Sequence, residues 1–498
     1  MRKTLSLIAL LSLAGCATAP DYKTPELPLP EKWSVPLEGG TSPESSAIAQ
    51  WWKSLDDPKL HELIDGALLV NLDIKQARAS LREARANRAF IAPDRYPQVQ
   101  ATASATRSRS SGNASFGGGG NSGATGAIAG LAGGGSFGGA SMNNLFEAGF
   151  DASWELDLFG GVAKELEAAD ASVEAAAEAL RNTQVILTSE VAREYLEVRG
   201  AQRRLTVAHA NIASQADSVS IAKSRYDAGL SSELDVKQAQ ALLATTEAVV
   251  PSLESAVTAG ILRLAILTRQ RGARLLEELN AETTWPARPE IVPIGLPTDL
   301  LRRRPDIRRA ERELAAATAR IGVAVADLYP KFTLTGRLGG QSSEATTINL
   351  ADARFWSFGP SVSLPIFNRE KIKANIAVQN ARTDAALAGY EKAVLVGLDE
   401  AQTALVAYAK EQTRLGSLNE AVAANQRALD IANELYRQGL ADFLNVIQAH
   451  GNLFAAQDSA IVSELTVLQQ MVALYKAVGG GWDPEEDLIT PNPEVPFQ

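Results

Sequence analysis

The sequence predicts an α+β membrane protein: a long α-helical coiled-coil barrel that continues a transmembrane β-barrel, with two internal repeats, four strands per chain and closure by trimerisation. Three observations lead there. One stretch occurs twice: Tyr226, Gly229, Leu230, Leu234, Val236, Gln238 and Ala239 recur at a constant offset as Tyr436, Gly439, Leu440, Leu444, Val446, Gln448 and Ala449. Such a repeat governs the reading of everything around it. Residues 162–226 hold no proline and are rich in Ala, Glu and Leu; as one helix they span ~95 Å at ~1.5 Å per residue, the scale of a coiled coil. Finally, Phe146, Ala148, Phe150, Ala152, Trp154, Leu156 and Leu158 alternate with Glu147, Gly149, Asp151, Ser153, Glu155 and Asp157. That period of two gives a strand with an apolar face suited to lipid and a charged face suited to water.

At the N-terminus Arg2 and Lys3 precede the apolar run Leu5–Leu13, the form of a secretory signal peptide over 1–15. The run ends in Leu13-Ala14-Gly15-Cys16, which resembles the lipobox of bacterial lipoproteins, and Cys16 is the sole cysteine. The resemblance implies a covalent lipid on Cys16, diacylglycerol on sulfur and an N-acyl chain on the amine. Each buried methylene contributes ~0.8 kcal/mol, so two or more chains anchor stably. The plainer alternative is an unmodified cysteine beside an ordinary cleavage site. Ala17 in place of aspartate favours the outer membrane of a Gram-negative bacterium. Residues 16–58 read as a lipid-anchored, extended, proline-rich segment pinned to the body by Trp33, Trp51 and Trp52.

The first structural repeat covers 59–296. It opens with a helix whose apolar stripe runs through Leu60, Leu63, Ile64, Ala67, Leu68, Leu72, Ala77, Leu81 and Ala84 and ends before Pro93. A strand hairpin follows over 96–159, interrupted by a Gly, Ser, Ala and Asn tract from Ser111 to Asn144. The glycine runs in that tract lack the Gly-Lys-Ser/Thr of a phosphate loop. A long helical hairpin covers 162–270, with Pro251 expected to kink or break it near Val250. The second repeat, 297–479, has the same order: a helix from Pro305 towards Asp327, a strand hairpin over 329–367 and a long helical hairpin over 371–478. Its last strand places Trp356, Phe358, Pro360, Val362, Leu364 and Ile366 on one face. The tail, 480–498, is expected on the surface.

Both hairpin turns carry helix-tip glycines. Gly229 and Gly439 stand where a helix C-terminus needs a left-handed residue. Ser232 and Asp442 then read as N-caps, and Ser232 with Asp235 is a capping-box-like pair.

Four strands cannot close a barrel, and an open sheet edge cannot face lipid. Closure therefore requires several copies, and three would supply about twelve strands, an even number. At this point the chain resembles the TolC superfamily of outer-membrane efflux proteins, in particular its lipoprotein branch of NodT or OprM type. The stretch Leu300-Leu301-Arg302-Arg303-Arg304-Pro305-Asp306-Ile307-Arg308-Arg309-Ala310-Glu311 carries the likeness, with Ile321-Gly322, Asp327-Leu328-Tyr329-Pro330, Trp51-Trp52 and Asn71. The resemblance implies a homotrimer, a periplasmic helical tunnel, a periplasmic adaptor protein and an inner-membrane efflux pump as partners, with outer membrane lipid around the barrel. It also implies a periplasmic gate, in which Asp235 engages Tyr436 and a second family aspartate is replaced by Asn445. A family arginine falls on Ala441. On this reading the chain is a passive exit duct. Alternatives are a type I protein-secretion duct and a non-conducting coiled-coil structural lipoprotein. Trp154, Phe159, Trp356 and Phe367 are candidates for aromatic girdles or for core packing.

The net charge of −10 argues against a nucleic-acid partner. The basic run Arg302–Arg309 is followed by Glu311 and Glu313, and reads as a solvated or intersubunit salt-bridge surface. His61, His209 and His450 show no metal-ligand spacing, and no catalytic constellation stands out, so neither a metal, a cofactor nor an enzymatic activity is expected. No apolar run looks long enough for a transmembrane helix beyond the signal.

Overall fold

The computed structural model describes residues 20–44, 48–109, 142–280, 285–344, 353–484 and 488. Cys16 and most of the glycine-rich tract lie outside the described residues. In chain order the elements are β1 (Thr41–Ser42), α1 (Pro58–Val70), α2 (Leu72–Ile91), β2 (Gln98–Arg109), β3 (Met142–Leu156), α3 (Gly161–Asp227), α4 (Glu233–Glu247), α5 (Val250–Leu267) and α6 (Gly272–Leu279). They continue with β4 (Val292–Pro293), α7 (Leu300–Arg303), α8 (Pro305–Ala326), β5 (Lys331–Ser342), β6 (Arg354–Ser363), α9 (Arg369–Arg437) and α10 (Phe443–Ala477). Two compact units form, one from Met1–Asp21, Asn87–Ala168 and Thr318–Asn380, the other from Tyr22–Ala86, Ala169–Ala317 and Ala381–Gln498.

The first unit holds a four-stranded antiparallel sheet in the order β2-β3-β5-β6. Its register runs without a bulge, so two rows show both faces. Ala101, Phe150, Leu338 and Trp356 form one row, and Gln100, Asp151, Arg337 and Ser357 the next. On the apolar face Phe150, Leu338, Trp356, Phe358 and Val362 are all more than half exposed. On the polar face Arg337 lies 2.6 Å from both Glu147 and Asp151, and Thr102 donates to Asp151 at 2.9 Å. Gly149 and Gly339 pair at the β3–β5 seam, where a Cβ on Gly149 would sit 2.6 Å from the Leu338 carbonyl oxygen. The backbones approach there as only glycine allows.

Two sequence expectations change in this unit. β6 ends at Ser363, so Leu364 and Ile366 lie beyond it; Pro365 has no N–H with which to extend the ladder. The aromatic residues also divide. Trp154 donates to the Arg95 carbonyl at 3.0 Å and Phe159 stacks on Tyr329 at 4.7 Å, whereas Trp356 and Phe367 are 75% and 97% exposed.

The second unit is a helical body. Asp57 caps α1 by accepting from the N–H groups of Lys59 and Leu60, and the buried Tyr195 hydroxyl of α3 donates to the same carboxylate at 2.7 Å. The opening helix is two helices, because Asn71 turns out of the helical region. Its Oδ1 accepts from Asp73 N–H at 2.7 Å, and its amide donates to the Leu267 carbonyl. Along α3, Val173, Ala177, Leu180, Leu187, Val191 and Val198 are buried at three-four spacing, the stripe that packs a helix of this length. Between α4 and α5 the helix breaks at Ala248–Val249, with Pro251 in the first turn of α5. The stretch Glu233–Leu267 is long and apolar enough to cross a membrane, contrary to the sequence reading. Its break, and the burial of Leu253, Val257, Ile261 and Leu264, make it a packing element of the body.

The leader and the basic run are also tied in. Trp33 donates to the Gly295 carbonyl, β1 pairs with β4, and Trp51 stacks on Tyr475 at 5.2 Å. Arg304 is buried rather than solvated. It binds Asp306 and Glu400 and donates to the Ala477 carbonyl, while Arg308 meets Glu178 at 2.7 Å. These are partners within the chain, since a buried guanidinium must find acceptors for its donors. The start of the tail is buried too: Trp482 sits between the guanidinium groups of Arg181 and Arg308, at 4.9 and 5.2 Å.

The glycine seam gives a test. Gly149→Val places a branched side chain against backbone and is expected to cut the strand content read by circular dichroism. Gly336→Ala, whose nearest neighbour is 3.9 Å away, leaves it unchanged.

Candidate gate at the helical tips

Both tips have one backbone design. Gly229 has φ +71° and Gly439 φ +74°, the left-handed region where a Cβ is costly. Gly229 N–H donates to Tyr226 O and Leu230 N–H to Arg225 O; Gly439 N–H donates to Tyr436 O and Leu440 N–H to Leu435 O. This is the Schellman arrangement that satisfies the last carbonyls of α3 and α9. Ser232 and Asp442 occupy the N-cap positions of α4 and α10, yet neither side chain caps its helix. The expected capping box is therefore absent, because Ser232 Oγ turns instead to Asp235 Oδ1 at 3.3 Å. Leu230 and Leu440, equivalent in the two copies, stand 68% and 70% exposed at the turns.

Behind the turns lies a small apolar cluster of Ala222, Val236, Ala239, Leu429, Tyr436, Phe443, Val446, Ala449 and Leu453. The equivalents Val236 with Val446 and Ala239 with Ala449 thus share one core. Tyr436 packs on Phe443 at 4.9 Å, and the Arg225 guanidinium covers its ring at 4.7 Å. Arg225 also donates to the carbonyls of Tyr436 and Arg437 at 2.8 and 3.2 Å. A cation of α3 therefore closes the C-terminus of α9, where carbonyls lack intrahelical partners and the helix dipole is negative. The buried Tyr436 hydroxyl has no hydrogen-bond partner among the described residues. Burial raises its pKa above the ordinary 10.0, the nearby Ser231 hydroxyl pulls it down, the Asp235 charge pushes it up and Arg225 pulls it down again. The structure thus brings Asp235 and Tyr436 to one corner without a hydrogen bond between them, and leaves Asn445 exposed.

Arg225 escaped the sequence reading. Its signal was an asymmetry between the copies: the equivalent position is Leu435. Beyond the tip, polar pairs join α3 to α10. Buried His450 Nε2 meets Ser218 Oγ at 3.0 Å, Asn211 donates to Gln457 at 2.8 Å, and Arg204 binds Asp458 at 2.6 Å. Gln215, 1% exposed in the same interface, has no hydrogen-bond partner for either amide atom among the described residues. Burial alone lowers the His450 pKa below its ordinary 6.5.

The profile of the family described as "Outer membrane efflux protein" matches residues 63–268 and 296–480. The chain is similar to the solvent efflux pump outer membrane protein SrpC of Pseudomonas putida, 31% identical over 486 residues covering 96% of this chain and 98% of the relative. It is 30% identical to nodulation protein T of Rhizobium leguminosarum bv. trifolii, over 97% of this chain and 98% of that one. Among solved structures it resembles the outer-membrane channel OprN, with TM-score 0.84 and 37% identity over 94% of this chain and all (100%) of that chain.

Two measurements probe the corner. Arg225→Leu, which copies the second repeat, removes the ring contact and both carbonyl bonds. The end of α9 is expected to lose about 1–3 kcal/mol of hydrogen-exchange protection. Folded His450 binds its proton less readily than the unfolded residue, so stability at this interface is full above pH 6.5 and falls as the pH drops below it. His450→Gln flattens that slope in pH-dependent melting.

Proposed function

The chain belongs to the outer membrane efflux protein family, and on that premise we propose that three copies close one duct fed by a periplasmic adaptor and an inner-membrane efflux pump. The chain is an outer-membrane channel protein of Gram-negative type and a passive, non-catalytic conduit. One observation carries the trimeric reading. The sheet turns an exposed aromatic and aliphatic face one way and a charged face the other, and β2 and β6 are its edge strands. Pairing β6 of one copy with β2 of the next satisfies both edges and puts Glu147, Asp151 and Arg337 on a water-filled lumen. Cys16 adds the anchor, as a cysteine carrying diacylglycerol and an N-acyl chain, supported by the Leu13-Ala14-Gly15-Cys16 sequence.

The gate is at the helical tips. Gly229 and Gly439 shape the turns, Asp235 and Tyr436 form the gate corner with Arg225 as its tie, and Asn445 is exposed in the first turn of α10. Opening separates Arg225 from the α9 carbonyls, at a cost of about 1–3 kcal/mol per copy. That cost is small enough for a docked partner to supply. The exposed Leu230, Leu234, Leu440 and Leu444 offer the adaptor an apolar surface at both tips.

Purified trimers in planar bilayers test this. Wild type is expected to conduct in small steps, and Asp235→Ala with Tyr436→Phe to conduct in larger ones. Silence from correctly folded trimers would sink the duct and leave a structural spacer. An unchanged double variant would remove Asp235 and Tyr436 from the gate while leaving the duct standing.

A further inference from the structure

We propose that Gln215 is a gating residue, whose buried and unpaired amide weakens the lower seam between α3 and α10 so that the two helices part there when the tips open. The buried stripe of α3 changes its chemistry on the way down. Between Arg203 and Asp227 the buried positions are Ala208, Asn211, Gln215, Ser218 and Ala222, at the three-four spacing of one helix face. None of them is a large apolar residue. Higher on the same helix, Leu180, Leu187, Val191, Leu196 and Val198 are buried in the main core. The lower stretch is thus held to its neighbour by polar contacts.

Those contacts form rungs, and one rung is missing. Ser218 meets His450 at 3.0 Å and Asn211 meets Gln457 at 2.8 Å. Gln215 stands between them on α3. Between His450 and Gln457, α10 buries Leu453, which offers an amide neither donor nor acceptor. Both amide atoms of Gln215 therefore lack a hydrogen-bond partner among the described residues, as does Nδ1 of His450. Asn211 and Ser218 differ, since each also donates to a carbonyl of its own helix, Val207 at 2.9 Å and Ser214 at 3.1 Å.

A buried amide that gives up its bonds with water and gains none carries a free-energy penalty, and exposure returns it. Closing α10 onto Gln215 incurs that penalty, and parting the helices relieves it. The cost is local. Below Gln215 lies the apolar cluster behind the turns, and above it the bond of Arg204 to Asp458 at 2.6 Å. An apolar residue at this position would pack on Leu453 and hold the seam shut, so glutamine here biases the joint towards opening. The inference rests on the gate reading above, and adds where along the helices the parting runs beyond the Arg225 tie.

Hydrogen exchange and planar-bilayer recording on the same purified trimer test this. Gln215→Leu is expected to slow exchange of the α3 amides over 211–218 about tenfold, and to cut the time spent in open steps by a similar factor. Gln215→Met, closer in shape to glutamine, gives the same result where leucine packs badly. Gln215→Glu, which buries a charge, moves both readouts the opposite way. Faster exchange in both apolar variants overturns the proposal, because the amide then holds a bond in the closed state. Slower exchange with unchanged conductance also overturns it, and leaves Gln215 a packing residue outside the gate. A silent wild type sinks the duct and this proposal with it. A conducting wild type that both apolar variants match in conductance and exchange sinks this proposal alone.

Discussion

Backbone N–H and C=O groups at a sheet edge must find partners wherever lipid replaces water. β2 and β6 each present such an edge, and among the described residues neither has a second strand neighbour. The rest of the architecture can be understood as the means of meeting that demand with a short strand set. Repetition supplies two hairpins, and the β3–β5 pairing welds them into one sheet through the contact of Gly149 with Gly339. The exposed aromatic face and the paired charges of the other face are two sides of one alternation, and neither can change register alone.

Repetition also sets up the tips, and there the two halves part company. The backbone geometry of the turns is nearly superimposable, down to the glycine dihedrals and the two Schellman bonds. The side chains are not. α3 ends with Arg225, which reaches across to α9, whereas α9 has Leu435 at the equivalent place, a side chain with no donor to offer. A symmetric scaffold thereby carries one directional tie. Its energy is modest beside the apolar burial of the helical body.

Period and punctuation were legible in the sequence. The two-residue alternation of Phe146–Leu156, the proline-free helices and the break at Pro251 follow from local chemistry, and so does the left-handed glycine at each tip. Long-range acceptors were not legible. Arg304 looks like a surface cation until Glu400 and the Ala477 carbonyl are brought beside it. Asn71 carries part of the family likeness, yet nothing local marks it as the break between two helices, because its decisive partner is the carbonyl of Leu267. At the helical tip, Ser232 has the right identity and spacing for a cap but turns its hydroxyl to Asp235. Local pattern names what a residue is able to do; which of its options is taken depends on what the fold sets next to it.

Trp482 lies beyond α10, yet it is buried between Arg181 of α3 and Arg308 of α8, and donates to the Arg303 carbonyl. Glu178, packed with both arginines, has its pKa raised by burial and held down by their charges. Until Trp482 arrives, those charges lack the indole that screens them from water. The joint between α3 and α8 is therefore finished by a residue that belongs to neither helix, so local contacts of the two helices alone do not complete it.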